Sequence, residues 1–195
     1  IFDNYLTDNT LRIYYIFAGD ATSQEIYLDE MSASEGWAGR RVNLDKVPVA
    51  GNGCITLRDS ASSKVLYRQT FSTLFQEWQT TEEATRIRKS FENVYLLPMP
   101  KKAATVTVEL FSHRGVKNAS FTHPVDPSDI LIRKMTPNPA PHKYLQRSGS
   151  PEDCIDIAIV AEGYTAKEAR LFYKDARAAV DALLEHEPFG KYAGR

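Results

Sequence analysis

Residues 153–195 read DCIDIAIVAEGYTAKEARLFYKDARAAVDALLEHEPFGKYAGR. Cys154 to Ala161 is apolar apart from Asp156, the composition of a strand covered on both faces. Glu162-Gly163-Tyr164 then turns the chain. Thr165 followed three residues later by Glu168 forms a capping-box pattern, in which hydroxyl and carboxylate each satisfy an orphan N–H at a helix start. Ala169, Phe172, Ala176, Ala179, Val180 and Leu183 recur at helical spacing and define one apolar stripe. Lys167, Arg170, Lys174, Arg177, Asp181 and Glu185 fall mostly on the other side, with Arg177 and Asp181 placed as an i,i+4 pair. Pro188 disfavours helical geometry at Glu187, so the helix is expected to end at or before that residue.

One strand and one helix cannot bury their own apolar faces, so this stretch is expected either to open a domain continued by further chain, the favoured reading, or to dock on something upstream. A buried carboxylate at Asp156 would need hydrogen-bond partners, most simply neighbouring backbone. The pattern Asp156-Ile157-x-Ile159-x-x-Glu162-Gly163-Tyr164-Thr165, with Phe172, Asp175, Pro188-Phe189 and Tyr192, resembles the start of the catalytic domain in the IgA-peptidase family, family sixty-four of the metallopeptidases. Ala161 departs from the Gly that the family often carries before its acidic residue. The resemblance spans about forty residues, and the β-rich region before it is similar to that family's N-terminal domain.

Upstream, alternation and turn residues predict an antiparallel β-sandwich. Leu11, Ile13, Tyr15 and Phe17 share one face of a strand that ends at Gly19-Asp20. A short strand is expected over 26–28, then a loop over 32–39 holding Trp37, and weaker extended segments over 41–44 and 47–49, with Pro48 suggesting an edge. Gly51-Asn52-Gly53 turns into strand 54–58, which pairs through a polar turn with 65–71 as the clearest hairpin of the chain. Thr80 or Thr81 is positioned to cap a short helical turn over 82–86. Further strands are expected over 91–97, where Pro98 and Pro100 stop the run, and over 105–111, 119–125 and 130–135, giving roughly seven to nine strands in all. His113-Arg114-Gly115 supplies the turn between the strands over 105–111 and 119–125. Thr136 to Ser150 carries Pro137, Pro139 and Pro141, which enforce an extended backbone, and then Ser148-Gly149-Ser150. The expected organisation is a sandwich over 1–135, a Pro-rich linker over 136–151, and the start of an α/β domain over 152–195.

The composition, 43% hydrophobic and 25% charged, is that of a globular chain able to bury a core. A formal net charge of −1 gives no reason to expect nucleic acid or an anionic membrane as partner, and no apolar run reaches the roughly 18 residues of a membrane span. Cys54 and Cys154 fall in different expected domains, each on a strand-like flank where Cys packs as a small apolar group. The chain begins at Ile1 rather than Met, so an N-terminal segment is expected to have been trimmed, by processing or by design, and a removed signal peptide would fit the resemblance.

A zinc peptidase needs two imidazoles one helical turn apart with a Glu beside them. None of His113, His123, His142 and His186 has a second His four residues on; His186-Glu187 opens like HExxH, but Gly190 stands at the second ligand position. No phosphate loop, dinucleotide fingerprint or GxSxG elbow is present. No catalytic or metal-binding residue is expected in these 195, and the resemblance implies that the HExxH helix and a further acidic ligand lie beyond Arg195. Glu162, Gly163 and Tyr164 sit where the expected strand ends, a place that commonly lines a cleft, although a turn residue, a permissive glycine and a ring packed on the helix explain the same sequence. The resemblance implies a secreted or cell-envelope bacterial zinc enzyme acting on protein substrates, with immunoglobulin A as the substrate in the family's label. An unpaired strand over 155–160 would offer its edge to a second copy. The rival expectation is a non-enzymatic sandwich that binds surface glycan or protein, with Trp37 and Trp78 as its aromatic contacts. The Arg86-Ile87-Arg88-Lys89 run reads as a solvated face.

Overall fold

A computed structural model describes residues 2–47, 49–112, 114–136, 140–150 and 154–194. The chain divides into two compact units, residues 1–138 and 139–195. In chain order the first unit contains α1 (Phe2–Tyr5), β1 (Leu6–Gly19), β2 (Gln24–Glu35), β3 (Gly53–Asp59), β4 (Val65–Phe71), α2 (Leu74–Trp78), β5 (Lys89–Pro100), β6 (Ala104–Phe111), β7 (Lys117–Val125) and β8 (Arg133–Lys134). Two four-stranded sheets, ordered β5-β1-β2-β8 and β4-β3-β6-β7, face each other as a sandwich. Every pairing is antiparallel except that of β8 with β2.

Side-chain parity builds the core. Leu11, Ile13, Tyr15 and Phe17 of β1 are completely buried, and so are Val106, Val108 and Leu110 of β6, because alternate residues of each strand point between the sheets. An aromatic cluster crosses the gap: Tyr95 of β5 lies 4.3 Å from Phe71 of β4 by ring centroids, and Phe17 stacks on both. Interior packing of this kind supplies the main driving force, about 25 cal/mol per Å² of apolar surface removed from water.

The ends of the sandwich are closed by aromatics. Thr73 caps α2 by accepting from the Gln76 N–H at 3.1 Å, and the Gln76 amide donates to Asn52 O and Phe111 O, tying α2 to β3 and β6. Phe75 of α2 is fully buried against Trp78 and Phe91. Trp37 is buried edge-on to Tyr67 with centroids 5.6 Å apart, and its indole N–H donates to Arg40 O. Both tryptophans thus serve the core rather than forming an exposed binding platform.

Several elements differ from the sequence expectation. β5 runs through Pro98 and Pro100, which a strand at a sheet edge tolerates. The strand expected over 130–135 shrinks to Arg133–Lys134, because the Asp126 and Asp129 carboxylates take the N–H groups of Ser128 and Leu131 and hold the chain in side-chain-bonded turns. Segment 41–44 is a bend with Asn43 at φ +49, and the described part of 47–49 carries no ladder; Pro48 lies outside the described residues. The expected turn over 82–86 is a 3-10 helix over Glu83–Thr85, and neither threonine caps it: Thr80 and Thr81 donate back to Glu77 O and Trp78 O. It is joined in this unit by α1 and α2, which sequence patterning did not reveal.

The second unit is built on α3 (Ala169–Glu185), preceded by a 3-10 turn over Ala166–Glu168 and followed by another over Phe189–Tyr192. Residues 140–150 carry no regular secondary structure and lean on it: Arg177 donates to Leu145 O, and Gln146 and Ser148 donate to Ala193 O. Pro137, Pro139 and Pro151 lie outside the described residues. The strand expected over 154–161 does not form. Residues 155–161 are exposed and unpaired, with Ile155 and Ile157 each more than 60% accessible, since an apolar run becomes a strand only where a neighbour completes its ladder. Asp156 is correspondingly exposed rather than buried and partnered.

Candidate functional site

The turn joining that unpaired segment to α3 holds the three residues singled out from sequence. Glu162 is exposed. Gly163 has φ +77, the left-handed region that glycine enters without steric penalty. Tyr164 lies against the first turns of α3, its ring edge-on to Phe172 with centroids 5.3 Å apart, and its hydroxyl donates to Asp175 Oδ2 at 3.0 Å. Donating that bond to Asp175 holds the Tyr164 phenol above its ordinary pKa, since ionisation would remove the donor.

The capping box forms as its spacing requires. The Thr165 backbone N–H donates to Glu168 Oε2 at 2.9 Å and the Thr165 hydroxyl to the same oxygen at 2.7 Å. The backbone bond, ahead of the hydroxyl, draws the Glu168 carboxyl below its usual range. Downstream, Ala176 is buried and Phe172, Val180 and Leu183 are half-buried, so the apolar stripe of α3 is only partly covered. Arg177 Nη1 stands 3.9 Å from Asp181, and the helix stops at Glu185, three residues before Pro188.

Glu162, Gly163 and Tyr164 therefore share one turn, and Asp175 joins them as the anchor of Tyr164. Sequence reasoning did not give Asp175 that part. Its signal was the spacing of eleven residues, which returns it to the face of α3 beneath the turn.

The described residues do not fit a zinc centre. No group of three or more His, Cys, Asp or Glu side chains comes together among them. His123 is buried with both ring nitrogens engaged, Nε2 with the Tyr15 hydroxyl at 2.6 Å and Nδ1 with Pro124 O at 3.0 Å. His142 and His186 each turn Nδ1 to a backbone carbonyl, Ala140 O and Ala182 O. His113 lies outside the described residues. Both cysteines are free thiols, and burial pushes the Cys54 thiol up, away from the ionised form that reacts or ligates. No helix is long and apolar enough to cross a membrane among the described residues.

Comparison with known proteins matches these two units to two family models. Residues 1–122 match the peptidase M64 N-terminus, and residues 144–195 match the IgA peptidase M64. No curated protein matches the chain. The first match covers the sandwich strands β1 to β6 and most of β7, and the second covers the turn at Gly163 together with all of α3, so the chain belongs to the M64 peptidase family.

Proposed function

We propose that this chain is the accessory sandwich and the opening of the catalytic domain of a secreted zinc metallopeptidase that hydrolyses peptide bonds. In this reading residues 1–135 form the accessory domain, 136–151 the linker and 152–195 the start of the peptidase domain, with the zinc ligands supplied by chain beyond Arg195. The carrying observation is the pair of family matches, one to each unit. The sandwich positions substrate or packs against the catalytic domain. Glu162, Gly163 and Tyr164 line the cleft once further strands stand beside 155–160. Support comes from the exposure of Glu162 and from the fixed orientation of the Tyr164 phenol on Asp175. The substrate is a protein outside or on the surface of the producing cell, with immunoglobulin A the example carried by the family label, and the enzyme itself resides in the bacterial envelope or medium. The unpaired backbone over 155–160 is also where a second copy would pair if no following strand occupied it. The alternative of a glycan-binding sandwich is disfavoured by the burial of Trp37 and by the packing of Trp78 on Phe75 and Phe91.

The test is hydrolysis of a quenched-fluorescence peptide library, with and without a chelator. The 195-residue chain is expected to be inactive, and a longer polypeptide from the same gene is expected to show chelator-sensitive cleavage. Chelator-sensitive cleavage by the 195 residues alone would overturn the placement of the zinc site. Its absence from the longer polypeptide would overturn the peptidase reading.

A further inference from the structure

We propose that the groove between residues 143–145 and the N-terminal half of α3 docks an acidic, extended segment of a partner protein. The groove encloses about 530 Å³. Lys143, Arg170, Lys174 and Arg177 surround Tyr173 on its walls, and Leu145 lies on the same lining. Lys143 Nζ stands 5.8 Å from the Tyr173 ring centre, and Arg177 donates to Leu145 O, which ties the two walls together. Of these four cations Arg177 alone has a carboxylate within ion-pair distance, Asp181 at 3.9 Å; Lys143, Arg170 and Lys174 have none among the described residues. The nearby carboxylates are otherwise engaged, Glu168 with Thr165 and Asp175 with Tyr164.

The charge order along α3 runs against its own dipole. There is no acidic residue in its first turn and no basic residue in its last. Arg170 and Lys174 crowd the positive end while Asp181 and Glu185 lie toward the negative end, the opposite of what stabilises an isolated helix. The Glu168 carboxylate of the capping box offsets part of this at the helix start, and Arg170 and Lys174 remain beyond it without a carboxylate of their own among the described residues. Carboxylates laid along the groove would meet three unpaired cations and the favourable end of the dipole together, while Tyr173 offers an apolar flat face between them. A peptide suits this better than a polyanion or an anionic bilayer, because a chain of net charge −1 has no extended positive field to draw either one. The inference does not depend on the peptidase reading.

The test is fluorescence anisotropy of the 195-residue chain with a fluorescein-labelled oligopeptide of alternating Asp and Glu, against a Gly-Ser peptide of the same length. Binding is expected for the acidic peptide alone, weakening as salt rises toward physiological strength. Arg170→Glu combined with Lys174→Glu is expected to weaken it by about tenfold or more. That variant places acids at the helix start, so its far-UV ellipticity should hold or rise. Lys102→Glu on the sandwich leaves binding unchanged. Equal affinity for the two peptides, or binding indifferent to the double reversal, overturns the proposal. So does reversal-sensitive binding that is tighter to phosphatidylserine vesicles or an oligothymidine than to the peptide. A dimer seen by light scattering that the reversal dissolves also overturns it, by assigning the groove to a second copy.

Discussion

The Tyr15 hydroxyl of β1 donates to His123 Nε2 of β7 at 2.6 Å, a buried hydrogen bond between the two sheets of the sandwich. The tautomer follows from the other ring nitrogen. Pro124 O accepts only, so Nδ1 carries the proton and Nε2 is left as the acceptor for Tyr15. Removing the hydroxyl in Tyr15→Phe leaves a buried imidazole nitrogen without a partner, which costs about 1–3 kcal/mol. Urea denaturation should show a lower midpoint with an unchanged slope. A midpoint equal to that of the parent would mean the bond contributes nothing.

The same pair sets a pH dependence. Burial lowers the His123 pKa, with the Pro124 carbonyl opposing that shift more weakly. The unfolded imidazole titrates near 6.5, so as pH falls through that value the unfolded state takes up a proton that the folded state refuses. Stability is therefore full above about 6.5 and declines below it, by at most about 1.4 kcal/mol per pH unit. The carboxylates act lower: hydrogen bonds from Thr22 and Ser23 hold Asp20 at about 2, so its contribution is lost only as pH falls from about 4 toward that value. Denaturation midpoints between about pH 7.5 and 5 should thus fall for the parent and stay flatter for His123→Leu. Parallel slopes for the two proteins would assign the effect to other groups.

Much of the sandwich is legible in sequence because its strands alternate. Leu11, Ile13, Tyr15 and Phe17, and then Val106, Val108 and Leu110, declare their inner face by period alone, and the hairpin over 54–71 adds turn residues between its strands. α2 escaped because five residues with Phe75 and Gln76 buried are too few to show a helical period. The Tyr15–His123 bond escaped for another reason: parity puts both side chains inside, but which inner residues meet across the sheets depends on packing between elements 108 residues apart. At the candidate site the Thr165–Glu168 box was readable because a cap is a local device. The apolar run over 154–161 misled in the opposite sense. Composition records what a segment would bury, whereas a ladder also requires a neighbour.

Neighbours on β5 offer a direct check of sheet parity. Leu97 is completely buried opposite Leu11, while Leu96 is 45% exposed on the outer face opposite Arg12. Leu97→Ala is expected to cost about 2–5 kcal/mol through lost transfer energy and the cavity left behind. Leu96→Ala should stay within about 0.5 kcal/mol of the parent. Similar losses for the two would show that the outer face of this sheet is covered in solution.

The capping box makes a local prediction. Thr165→Ala removes the hydroxyl bonded to Glu168 while leaving the backbone N–H bond in place, and is expected to cost about 1 kcal/mol of helix stability. Amide exchange should quicken in the first turns of α3 and leave the sandwich strands unchanged. Uniform quickening across both units would mean the cap supports more than its own helix.

Gly163 and Tyr164 separate backbone strain from side-chain anchoring at the candidate site. A Cβ built on Gly163 meets nothing within 4 Å, so Gly163→Ala suffers no clash and pays only for its φ of +77, about 1–2 kcal/mol. Gly163→Asn should lose less, because asparagine enters the left-handed region more readily. Tyr164→Phe keeps the ring on Phe172 and deletes the exposed bond to Asp175, and is expected to change stability less than Gly163→Ala does. Amide exchange across residues 162–170 reads all three substitutions. If Tyr164→Phe destabilised this turn as much as Gly163→Ala, the phenol would be holding the turn in place rather than being presented on it, and the cleft-lining assignment of Tyr164 would fail.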